Sequence, residues 1–161
     1  MEPATAQPPN TRLRACTPVM PDRRPHESGH SAPDLPVSTI ASGYAGTFCG
    51  RAEEAARVRR EIAAYLAGCP AVEDMVLIAS ELAANATVHT RSRGGSFWVR
   101  CLLSAGTARI EVEDLGGPWR QRNSDDRPHG LDIIQALAGP DGWGTQVTET
   151  GGRIVWAQLE W

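Results

Sequence analysis

Residues 81–90 read E-L-A-A-N-A-T-V-H-T, and the spacing of the polar residues in this stretch decides the fold. Together with the preceding A-V-E-D-M-V-L-I-A-S it predicts a helix from about Ala71 to Thr90, with Met75, Ile78, Ala79, Leu82 and Ala86 on one face. Glu81, Asn85 and His89 recur every four residues. At about 100° per residue they form one polar line that drifts along the edge of the apolar stripe. A solvated charge belongs opposite the stripe; a carboxylate and an amide at its border are placed to face a cleft. Glutamate can act as a base there, and an asparagine carbonyl suits a hard cation such as Mg²⁺. Hydrogen bonding of Asn85 to a neighbouring loop, with Glu81 half exposed, fits the spacing equally well.

Outward from this helix, Arg51 to Leu66 carries Ala55, Val58, Ile62, Tyr65 and Leu66 at helical spacing and is stopped by Gly68, Cys69 and Pro70. Tyr44 to Cys49, Phe97 to Leu103 and Thr107 to Asp114 alternate as strands. Gly130 to Ala138 reads as a third helix. Thr145 to Thr148 and Arg153 to Leu159 read as two closing strands joined through Gly151 and Gly152. This order alternates strands and helices only in part. It predicts an α/β sandwich, with about three helices layered on one face of a mixed, largely antiparallel sheet.

Two further places can carry chemistry. Asp114 shares the parity of Ala108, Ile110 and Val112, so it points inward from a strand end, and Leu115, Gly116 and Gly117 follow. A carboxylate facing inward needs a partner. That partner is either a ligand's amino group or the backbone of an Asx turn. The polar segment from Gly116 to Pro128 contains Arg120, Arg122, Asp125, Asp126 and Arg127, and ends where Gly130 and Leu131 open a helix. The N–H groups and positive dipole end of that helix suit an anion; a solvated surface loop is the plainer reading.

Composition narrows the chemistry. The chain has 161 residues, 16 basic side chains, all of them arginine, and a net charge of −3. Without lysine, a P-loop, the strand lysine of a eukaryotic-type protein kinase and Schiff-base catalysis are all excluded. A GC-rich coding bias accounts for the arginines by itself. The mild acidity argues against a nucleic-acid partner, and no apolar run approaches the length of a membrane span. Residues 1–38 hold eight prolines and few large apolar groups and read as a disordered leader, leaving 39–161 as one domain. His26 and His30 in that leader have no helix to serve as phosphoacceptors. The four cysteines are scattered, which predicts free thiols in a cytoplasmic protein.

The succession E-L-A-A-N-A on a helix, D-L-G-G after a strand, a loop, then H-G-L opening a helix resembles the Bergerat-fold (GHKL) ATP-binding domains. Gyrase-type enzymes and histidine kinases share this fold. The run G-L-D-I-I-Q-A-L-A-G-P-D-G-W-G and the closing R-I-V-W-A-Q-L look most like the anti-sigma-factor serine kinases. The resemblance covers roughly residues 44–160.

It implies ATP and Mg²⁺ as cofactors, with Asn85 on the metal and Glu81 polarising a serine hydroxyl of a partner protein. Asp114 would accept from the adenine amino group and Gly116 would give the base room. Gly130 and Leu131 would receive phosphate, with Arg127 as the accompanying cation. His89 matches a position with a structural role. The implied partners are a sigma factor and an anti-anti-sigma-type protein, and the chain would act as a homodimer. Three positions depart from the family pattern: Pro118 and Pro128 stand where glycines are usual, and Ile154 stands near a usual threonine. These departures keep open a binding module that sequesters a regulatory protein without catalysis. A histidine-kinase catalytic fragment is a further alternative, and it would need a separate phosphoacceptor protein.

Overall fold

The computed structural model describes residues 40–117 and 130–161. Their order is β1 (Ile40–Cys49), α1 (Glu54–Tyr65), α2 (Val72–Val88), β2 (Ser96–Ser104), β3 (Thr107–Asp114), α3 (Gly130–Ala138), β4 (Trp143–Val147) and β5 (Arg153–Glu160). The strands form one sheet in the order β1-β2-β3-β5-β4, and every neighbouring pair is antiparallel. The expected sandwich is present, and among the described residues its sheet is wholly antiparallel rather than mixed. Two strands begin earlier than their sequence signal: β1 at Ile40 rather than Tyr44, and β4 at Trp143 rather than Thr145. Gly43, Gly46 and Gly144 carry little strand signal of their own; pairing with β2 and β5 supplies it.

Strand parity builds the core. Phe97, Val99 and Cys101 of β2, Ala108, Ile110 and Val112 of β3, and Val155, Ala157 and Leu159 of β5 are buried on one sheet face. Val58 and Ile62 of α1, six residues of α2 from Met75 to Ala86, and Ile134 of α3 complete the same cluster. Phe48 and Phe97 stack with ring centroids 5.5 Å apart.

The opposite face is polar but not bare. Arg100 pairs with Glu111 at 3.2 Å, and Arg109 donates from Nε to Glu111 at 2.9 Å. The Arg109 guanidinium lies 4.1 Å from the centre of the Trp156 ring. None of Cys49, Cys69 and Cys101 is in a disulfide, and burial pushes the Cys101 thiol up to about 12.

The loop after α2 is bolted to its surroundings. Gly50 donates to Gly95 O at 2.8 Å and accepts from Gly94 at 2.9 Å. The approach is so close that a Cβ on Gly50 would lie 1.6 Å from Ser92 O. Ser92 is fully buried, and its Oγ accepts from Leu115 N at 2.9 Å. The end of β3 is thereby held against the end of α2.

Ile110 is at the centre of this packing, on the middle strand and fully buried. Ile110→Ala leaves a cavity that flanking strands cannot close, so it lowers unfolding free energy by about 2–5 kcal/mol. Urea denaturation of the two proteins measures the difference.

Candidate functional site

On α2, Leu82, Ala83 and Ala86 are buried in the core while Glu81 and Asn85 stay half-buried at its border, as the polar line predicts. What they border is the start of α3. An ideal Cβ on Gly130 would sit 2.6 Å from Glu81 Oε2 and 3.5 Å from Asn85 Nδ2. The α3 backbone thus rides directly over both side chains, and any residue but glycine would have to push the carboxylate aside. The first N–H groups of α3 have no acceptors within their own helix and open beside Glu81 and Asn85. His89 caps α2 at its C-terminus, its N–H donating to Asn85 O at 3.0 Å. Leu131 packs against the core and so anchors the first turn of α3.

At the end of β3, Asp114 is 3% exposed on the helix-bearing face. Its Oδ1 accepts from Gly116 N at 2.6 Å, which is the Asx turn expected as one alternative. Burial raises the pKa of this carboxyl; the Gly116 bond and the nearby charge of Arg153 offset part of the rise. Gly116 has φ +66°, and a Cβ there would meet Gly151 O at 2.2 Å, so the β4–β5 turn closes tightly over this end of the sheet.

Two arginines that sequence reasoning passes over flank the same turn. Arg91 N donates to Gly116 O at 2.8 Å, and its side chain lies across Gly117, with Cγ 3.1 Å from where a Cβ would be. Arg153 Nη2 donates to Gly117 O at 2.9 Å. Arg153 is the register partner of Asp114 and shares its face, whereas Ile154 pairs with Glu113 on the opposite face. The position directly beside Asp114 is held by Arg153, the chain neighbour of Ile154. The parity of Arg153 with Val155 is a signal, but the pairing of β5 with β3 is needed to set it beside Asp114.

The structure thus brings Glu81, Asn85 and Gly130 together where α2 meets α3, and Asp114, Gly116, Arg91 and Arg153 together at the glycine turn after β3. Arg127, Arg120, Arg122, Pro118 and Pro128 lie outside the described residues, as do the leader residues 1–38. A cavity of about 430 Å³ lies at the far end of β5, lined by Arg109, Leu137, Asp141, Trp156, Gln158 and Glu160 among others. It contains none of the residues singled out above, and its position separates it from the cleft.

Among the described residues no three His, Cys, Asp or Glu side chains gather as ion ligands. At both glycines the space a Cβ would take is filled by the protein's own atoms, Glu81 Oε2 at Gly130 and Gly151 O at Gly116.

The family model described as histidine kinase-like ATPase domain matches residues 48–150. Among solved structures, the crystal structure of the RsbU and RsbW domains of Rv1364c from Mycobacterium tuberculosis is similar, with 21% sequence identity and a TM-score of 0.58. The likeness covers 74% of this chain and 32% of that one, so this chain spans about a third of its length, and what it shows is the fold. No curated protein matches the chain.

The buried Asp114 has a pH signature. Its carboxyl is easier to bury protonated, so the ionised form weakens the fold as pH rises through the raised value. Asp114→Asn keeps an acceptor for Gly116 N and removes the charge. The variant should therefore melt a few degrees above wild type at pH 7, since roughly 1 kcal/mol shifts a domain of this size by about 4 °C. The gain should vanish near pH 3.5, below the ordinary aspartate value of about 3.9, where both proteins are neutral at this position. Thermal melts across that range measure it.

Proposed function

The chain belongs to the histidine kinase-like ATPase domain family, and from that membership we propose that it is an ATP-dependent serine/threonine kinase of the anti-sigma-factor type. The observation that carries the reading is the seating of Gly130 on Glu81 and Asn85, with a buried Asp114 at the other end of the same cleft. Asn85 would lend its carbonyl oxygen to Mg²⁺, and the α3 N-terminus would receive the phosphates through backbone N–H groups. Asp114 would accept from the adenine amino group, while Gly116 keeps side-chain atoms out of the space beside it. Mg-ATP supplies the phosphoryl group and the charge neutralisation. Glu81 would orient the hydroxyl of an incoming serine and take its proton. Positioning and charge stabilisation of this kind need no lysine.

By the same resemblance the partners are a sigma factor and an anti-anti-sigma-type protein, met in the cytoplasm by a homodimer. No described helix is long and apolar enough to cross a membrane, which agrees with this setting. A second reading, a module that sequesters its partner without turnover, is favoured by Pro118 and Pro128 at the places where the family usually has glycine.

Calorimetry and thermal shift test the first reading. With ATP at ten times its Kd, ligand linkage raises stability by about 1.4 kcal/mol. Millimolar Mg-ATP should therefore raise the Tm, and Asn85→Ala should abolish the rise. Glu81→Gln should keep the shift and lose roughly 10²–10⁴-fold in phosphoryl transfer to a serine substrate. Binding without transfer in the wild type would select the sequestering module.

A further inference from the structure

We propose that Ser92 is a positioning residue of the nucleotide site: through hydrogen bonds it fixes Asp114, at the end of β3, relative to Asn85 on α2. The role rests on the reading above, with Asn85 at the metal and Asp114 at the base. A nucleotide that engages both needs them at a set separation, and neither side chain sets it by itself.

A continuous run of hydrogen bonds joins the two. Thr90 Oγ1 donates to O of Ala86, the residue after Asn85, at 2.6 Å. The same Oγ1 accepts from Ser92 N at 3.0 Å. Ser92 Oγ accepts from Leu115 N at 2.9 Å, and the peptide unit that carries this N–H also carries the carbonyl of Asp114. Gly116 N then donates to Asp114 Oδ1 at 2.6 Å. Ser92 is the joint of the run, with its backbone toward α2 and its side chain toward β3.

The joint has little freedom of its own. Ser92 is fully buried, its carbonyl accepts from Gly95 N at 2.8 Å, and Gly50 packs against that carbonyl. Leu115, by contrast, is 40% exposed. Without the serine hydroxyl its N–H has to find water instead, because an unpaired donor is costly. Turning toward water rotates the peptide and takes Asp114 with it. Arg91 N still donates to Gly116 O at 2.8 Å, so the turn loosens rather than comes apart. Asp114 then meets the base less accurately, and misplacement alone weakens the interaction.

The test is a double-mutant cycle on the Mg-ATP affinity of the full chain, measured by calorimetry on the wild type, Ser92→Ala, Asp114→Asn and the pair. Asp114→Asn keeps Oδ1 on Gly116 N and turns an amide NH₂ toward the adenine amino group, so it should lose about tenfold. Ser92→Ala should lose about three- to tenfold, the worth of one hydrogen bond. In the Ser92→Ala background Asp114→Asn should cost about threefold or less, because the carboxylate there is already out of place. If Ser92→Ala does not fold, Thr90→Val, at a half-buried position and close in shape, takes its place in the cycle with the same non-additivity expected. Losses that multiply would overturn the inference. So would a Ser92→Ala protein that melts lower yet binds Mg-ATP like the wild type, since the serine would then be purely structural. A wild type that does not bind Mg-ATP, or an Asp114→Asn protein that binds it equally tightly, overturns the underlying reading of the site as well, so the two failures are told apart.

Discussion

The cleft depends on one close approach: the backbone of Gly130 lies against Glu81 and Asn85. Three separate constraints have to be met for it. The α2 helix must keep its apolar stripe in the core so that Glu81 and Asn85 fall at the border. The α3 helix must begin with a residue lacking a side chain, and it must be pulled inward by Leu131 and Ile134. If α3 began elsewhere, its N–H groups would open to solvent, and Glu81 and Asn85 would be an ordinary pair on a helix surface. The chemistry is thus a consequence of how two helices are packed on one sheet face.

The other end of the cleft is held by hydrogen bonds rather than apolar packing. Ser92 Oγ takes Leu115 N, Arg91 N takes Gly116 O, and Arg153 takes Gly117 O. Three successive residues after Asp114 are therefore fixed by three different side chains or backbone groups. This rigidity allows a carboxylate to be buried at the strand end despite its desolvation cost. It also makes the Asx turn and the ligand-facing role compatible: the turn occupies Oδ1 and fixes the direction in which the carboxyl group faces. The two alternatives that the residues leave open at Asp114 are not exclusive in the folded chain.

Legibility in the sequence tracks the strength of local signals. The α2 stripe and the alternation of β3 are long and regular, so their faces and the burial of Asp114 can be read directly. The starts of β1 and β4 cannot, because glycine-rich segments become strands only through neighbours. Parity also misleads in one respect. Arg109 is outward by parity and does lie on the face away from the helices, yet it is 5% exposed. The broad ring of Trp156 covers it, and its Nη1 is buried without a hydrogen-bond partner among the described residues. Facing away from a core and facing water are different conditions, and a single strand records only the first. Arg153 escapes sequence reasoning for a related cause: its neighbour is defined by the register between β3 and β5, strands far apart in the chain, which no one-strand pattern contains.

A chain without lysine has to place positive charge through planar forks on shorter, more directional contacts. Arginine serves carboxylates on the outer sheet face, through Arg100 and Arg109 on Glu111, and a backbone carbonyl at the cleft, through Arg153 on Gly117. Both uses exploit several donors at fixed angles, which an ammonium cannot supply. Among the described residues, Arg91 and Arg153 gather at the glycine turn beside Asp114 rather than at the start of α3. Among the described residues, Gly130, Glu81 and Asn85 meet at the α3 end.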